Sequence, residues 1–131
     1  LLKHTIMQII LTPEESINFF YNALCIGLGY IGGYGLKIDY SKDAYASARK
    51  GLQEPCFEDV LIQILKDGGI LTFVDIENDG EYTKHIIMQD VVDRVAKTPA
   101  DHLLDEINEE GDATTADVIL QTVAFGEVIF G

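Results

Sequence analysis

The sequence predicts a single α+β domain, residues 1–131, in which a small, mainly antiparallel sheet built on a hairpin at about 70–88 packs against four to six helices. Three observations carry this expectation. Two strand-like runs, Ile70-Leu-Thr-Phe-Val-Asp-Ile76 and Tyr82-Thr-Lys-His-Ile-Ile-Met88, flank the turn-forming Glu77-Asn-Asp-Gly80. Apolar residues recur at helical spacing behind capping residues in several other segments. With 131 residues, 47% of them hydrophobic, the chain can bury one core and is short for two.

Taken in order, Ile6 to Leu11 is a short apolar run suited to a strand, and Met7 opens a tidier start that marks Leu1–Ile6 as an upstream extension. Thr12-Pro13-Glu14-Glu15 then supplies an N-cap, a proline at the first helical position and a glutamate at the third. Ile17, Phe20, Leu24 and Leu28 continue that helix into a glycine-rich stretch, where Gly29 to Gly35 should end it through positive-φ residues. Leu36 to Tyr40 alternates as a strand, and Ser41 or Asp43 caps a short helix reaching about Leu52. Pro55 breaks the chain before a helix from about Cys56 to Lys66, with Phe57, Val60, Leu61, Ile64 and Leu65 inward and Gly68-Gly69 as its stop.

After the hairpin, one helix is expected at about 90–96 and another at about 100–109, with Leu103, Leu104 and Ile107 facing the core. Thr114 and Asp117 form a capping box for a helix at about 115–125, although Val118, Ile119 and Val123 leave a strand reading open. Glu127 to Phe130 reads as a terminal strand. Asp59-Val60-x-x-Gln63 is echoed by Asp117-Val118-x-x-Gln121, which would make two helix-to-strand units on one sheet. The expected core is Phe20, Leu24, Val60, Leu61, Ile64, Leu71, Phe73, Ile87, Val91, Leu104, Leu120 and Phe125.

Gly27-Leu-Gly-Tyr-Ile-Gly32 matches the dinucleotide-binding fingerprint, but that motif needs a strand before its first glycine, a helix after it and an acidic ribose ligand about twenty residues on. Here a capped helix precedes the glycines, and Arg49, Lys50 and Gly51 stand downstream. No dinucleotide or other cofactor is expected. A weaker ligand-binding reading keeps Gly29, Tyr30, Gly32, Gly33 and Tyr34 as a loop that binds a small ligand or sequesters a nucleotide.

Asp75-x-Glu77-x-Asp79-Gly80 resembles the start of a calcium loop, but its twelfth position is Ile86 and its flanks read as strands, so a solvated turn is expected and no metal. His4, His85 and His102 show no ligand spacing. Cys25 and Cys56 form no CxxC pair and read as reduced, buried apolar residues. No nucleophile elbow or phosphate loop is present, so no catalytic residue is assigned and an enzyme is not the expectation.

Charge is the most unusual property. Asp and Glu number 22 against 9 Lys and Arg, a formal net charge of -13, which opposes direct binding to nucleic acid or to an anionic membrane. From Thr98 onward there is no Lys or Arg, while Asp101, Asp105, Glu106, Glu109, Glu110 and Asp112 follow closely. On a helix Asp101, Asp105 and Glu109 would line up every four residues, each like-charged pair costing about 0.2–0.5 kcal/mol. The strip therefore reads as a surface for a basic partner, such as a nucleic-acid-handling protein, or as a solubilising face.

The absence of a long apolar run, a signal peptide or a lipidation motif leads to a cytoplasmic expectation. The stretches PCFEDVLIQILKDGGILTFVDIENDGEYTKHI and PADHLLDEINEEGDATTADVILQTVAFGEVIFG resemble small acidic proteins encoded by bacteriophages. That resemblance carries no catalytic or binding residue with it. It implies an anti-defence or host-takeover factor acting in the host cytoplasm, or a virion component. Three functional expectations follow: a non-catalytic protein-binding or inhibitor domain using the acidic strip, a structural subunit that self-assembles as a homo-oligomer through Phe125, Ile129 and Phe130, and a small-ligand binder.

Overall fold

Helix α1 (Pro13–Gly32) starts where its capping chemistry dictates. The computed structural model describes residues 8–131, and in it Thr12 Oγ1 accepts the Glu15 amide at 3.1 Å while the Glu15 carboxylate accepts the Thr12 amide at 2.9 Å. Residues 8–11 carry no strand, and the rest of the strand expected at 6–11, like the extension proposed for 1–6, lies outside the described residues.

The glycine-rich stretch is mostly helix. Gly27, Gly29 and Gly32 lie within α1, Gly33 caps it in right-handed conformation, and among Gly29 to Gly35 only Gly35 takes positive φ, at 78°. Gly27 has a packing role instead. A β-carbon there would stand 2.9 Å from Leu120 Cδ1 and 3.1 Å from Ala116 Cβ, so a bare backbone is what lets α1 lie against the last helix, α6 (Ala113–Phe125). All ten residues from Thr115 to Ala124 are buried, including the polar Thr115, Asp117, Gln121 and Thr122.

Strands β1 (Leu36–Asp39), β2 (Leu71–Asp75) and β3 (Lys84–Ile86) form an antiparallel sheet in that order, with Leu36 opposite Asp75 and Leu71 opposite Ile86. Between β1 and β2 run α2 (Lys42–Lys50) and α3 (Phe57–Lys66); after β3 come α4 (Met88–Arg94), a 3₁₀ turn at Val95–Lys97 and α5 (Ala100–Ile107). Leu36, Leu71, Phe73 and Ile86 turn their side chains into the core with α1, α3 and α6. Among the described residues no helix is long and apolar enough to cross a membrane.

Several local expectations are corrected. Strand β3 is shorter than 82–88 because α4 begins at Met88, which leaves Ile86 buried and Ile87 46% exposed ahead of the helix. Leu103 is the buried residue of α5, while Leu104 and Ile107 are 37% and 41% exposed. Phe125 is half-buried rather than central. Asp112 caps α6, accepting the Thr115 amide at 3.0 Å, so Thr114 and Asp117 make no capping box and Asp117 lies buried one turn inside.

The terminal segment is not a strand. Gln121, buried in α6, accepts the amides of Ile129 at 2.9 Å and Phe130 at 2.8 Å, and its Nε2 donates to the Phe130 carbonyl at 3.2 Å and to Asp117 Oδ1 at 2.8 Å. Tyr34 Oη donates to Asp117 Oδ2 at 2.9 Å. One side-chain amide thus does for the tail what a neighbouring strand would do, and every atom of this buried polar group has a partner. Phe130 stacks on Tyr34 at 5.3 Å and meets Tyr82 edge-on at 5.2 Å. With no strand after α6, the echo between Asp59 and Asp117 marks no repeated unit; Gln63 donates forward to Asp67 instead.

Candidate functional site

The acidic end is built where α5 stops and α6 begins. Asp101 and Asp105 lie one turn apart on α5, both exposed. The helix ends at Ile107, Asn108 caps it, and Glu109 takes a left-handed φ of 59°. The Glu109 amide donates to the Glu106 carbonyl at 3.1 Å and the Glu110 amide to the Asp105 carbonyl at 2.7 Å, closing the helix in a Schellman motif. Glu109 therefore leaves the helix, and the regular line Asp101, Asp105, Glu109 is broken at its third member.

The six carboxylates also divide by what holds them. Asp112 is spent on capping: the Thr115 amide, the main cause, holds its carboxyl below the usual carboxylate range. Glu106 is half-buried and accepts Asn22 Nδ2 from α1 at 3.4 Å. Asp101, Asp105, Glu109 and Glu110 stand exposed, and the ion pair found among the described residues, Arg94 with Asp90 at 3.5 Å, lies on α4 instead.

Beside this end, a cleft of about 360 Å³ opens between α1 and the α5–α6 turn, with Phe19, Ile26 and Ile107 as apolar wall and Glu106 and Glu109 at the rim. A larger cleft of about 600 Å³ lies on the other flank of α1, against α3 and the segment before it, walled by Ile17, Tyr21, Leu52, Pro55 and Ile62. Sequence reasoning missed both clefts. Pro55, which breaks the chain before α3, lines the larger and was the one sequence signal near it.

The glycine segment is not a loop. Gly29, Tyr30 and Gly32 belong to α1, Gly33 caps it, and Tyr34 is committed to Asp117. No strand-to-helix turn exists there to hold a pyrophosphate. Tyr30 is 44% exposed and packs edge-on to Tyr34 at 6.1 Å.

Asp75 is buried and closes the hairpin. Its Oδ1 accepts the amides of Glu77 and Asn78, each at 3.1 Å, and its Oδ2 accepts that of Tyr82 at 3.1 Å, so these lone pairs already have partners. Among the described residues no three His, Cys, Asp or Glu side chains converge on a metal position. His102 Nδ1 lies 3.3 Å from Thr115 Oγ1; His4 lies outside the described residues.

His85 Nδ1 lies 2.8 Å from Thr72 Oγ1 on the solvent face of the sheet. Asp39 is opposite Thr72, on the hydroxyl side of the pair, so it does not orient the imidazole as a nucleophile–base–acid relay requires. The two cysteines are exposed rather than buried: Cys25 faces outward from α1 and Cys56 precedes α3.

No protein-family model matches the chain, and neither a curated protein nor a solved structure does.

Proposed function

We propose that the protein is a non-catalytic binding or inhibitor domain that docks a basic protein surface through the acidic end formed by α5 and the α5–α6 turn. The observation that carries this reading is the set Asp101, Asp105, Glu109 and Glu110, exposed in a region that contains no Lys or Arg. Asp101 suits the first turn of α5, but folding gains nothing from Glu109 and Glu110 past its negative end, whereas a cationic partner gains from a field of one sign. The cleft between Ile26 and Ile107 adds an apolar floor on which the stem of a partner lysine or arginine can lie, its charge meeting Glu106 and Glu109. The resemblance to phage-encoded acidic proteins supports a host nucleic-acid-handling or defence protein as that partner.

Affinity capture from bacterial lysate tests the reading when wild type is run beside Asp105→Lys with Glu109→Lys, each at low and at high salt. A protein held by wild type, released by salt and lost with the double variant is the expected result. Capture indifferent to both would overturn it.

The larger cleft supports a second reading as a small-ligand binder, since about 600 Å³ falls within the usual range for such sites. Stabilisation in a thermal-shift screen, abolished by Ile62→Trp across that cleft, would favour it.

A further inference from the structure

Cys25 and Cys56 belong to different elements, yet Tyr21 relates them. Tyr21 stands one turn before Cys25 on the same face of α1. Its Oη lies 3.6 Å from Cys56 Sγ, which brings the Cys25 face of α1 alongside the segment that opens α3. Both thiols are open to solvent. Two accessible thiols thus flank the same tyrosine, one a turn along its helix and one against its hydroxyl.

We propose that Cys25 and Cys56 form a redox modification site, in which a two-electron oxidant of the peroxide class converts the pair to an intramolecular disulfide joining α1 to the start of α3. In the first step one sulfur attacks a peroxide oxygen; an S–O bond forms, the O–O bond breaks, and the departing hydroxide takes the thiol proton as water. The second thiol then attacks the sulfenic sulfur, forming S–S and breaking S–O, and its proton leaves with the hydroxyl as a second water. Two thiols and one peroxide give one disulfide and two waters. Either sulfur can take the first step, since both are exposed.

The event reaches the larger cleft. Tyr21 forms part of its wall, and drawing Cys56 onto Cys25 removes the sulfur partner of the Tyr21 hydroxyl. The oxidised protein therefore presents a different wall to any occupant.

Dibromobimane, which fluoresces strongly only after bridging two thiols, tests proximity in the reduced, folded protein. Bridging is expected in wild type and not in Cys25→Ser or Cys56→Ser, exposed positions whose folding circular dichroism checks. One equivalent of hydrogen peroxide should then remove both thiols and give a monomer with the Cys25 and Cys56 peptides linked, reversibly with dithiothreitol and with a higher thermal midpoint. Absence of bridging, or peroxide products that are only sulfinic acids or dimers between chains, would overturn the proposal.

Discussion

Helices α3 and α5 end in the same geometry with different residues. At α3, Asp67 caps, Gly68 takes φ 86°, and the amides of Gly68 and Gly69 donate to the carbonyls of Leu65 and Ile64 at 3.0 and 2.8 Å. At α5, Asn108 caps, Glu109 takes φ 59°, and Glu109 and Glu110 make the equivalent bonds at 3.1 and 2.7 Å. Glycine adopts the left-handed position without cost, whereas a side chain there costs about 1–2 kcal/mol. Lys66 also complements the dipole at α3, while the last turn of α5 has no cation and two glutamates follow it. The α3 end agrees with its local preferences in backbone and in Lys66, Asp67 being the one carboxylate against the dipole. The α5 end is held by Leu103 in the core and by Asn22 on Glu106, against its own local preferences.

The largest way to break the contrast is Gly68→Glu, which gives α3 the residue α5 carries. A side chain at 68 meets open space, so the loss of about 1–2 kcal/mol in chemical denaturation would come from the backbone alone. Asp112→Ala asks what a carboxylate does at the other end of a helix, and should cost about 1 kcal/mol by removing the cap of α6. The folded Asp112 carboxyl titrates below its unfolded value, so its contribution is full above the unfolded value and lost as pH falls through the lowered one. The variant should therefore show a flatter acid limb of stability. Glu109→Gly gives α5 the α3 residue and should stabilise by about 0.5–1 kcal/mol, the relief of backbone strain being partly offset by the freedom glycine adds to the unfolded chain. Glu109→Gln, which keeps the strain and removes only charge, should stabilise by about 0.3 kcal/mol at low salt and by less at high salt.

Most of the architecture was legible because its signals are local. Thr12 to Glu15, Ser41, and Gly68-Gly69 each fix a helix end through their own hydrogen bonds, and the hairpin follows from two strand runs around Asn-Asp-Gly. Single-residue phase was less legible. Ile86 and Ile87 are chemically alike, and only the early start of α4 decides which is buried; Leu103 and Leu104 differ in the same way. The terminal segment was read as a strand because its pattern fits one, but its partner is the side chain of Gln121, which leaves no trace in periodicity. The acidic end was legible as composition, and its division into capping, tethered and exposed carboxylates was not, since that depends on where α5 stops. Cysteine is a residue type usually buried, but Cys25 takes its exposure from the outer face of α1 and Cys56 from its place at the cap ahead of α3.

The bond from Tyr34 to Asp117 has an optical consequence. The chain has six tyrosines and no tryptophan, so phenolate formation dominates its near-ultraviolet change at alkaline pH. Burial, with Asp117 adding to it, pushes the Tyr34 phenol from 10.0 to about 12. The stability this represents is full below the unfolded value and is lost as pH rises through the folded one. In an alkaline titration the ring should absorb late while the fold persists and at once when it fails, making Tyr34 a native gauge of whether α1, α6 and the tail remain together.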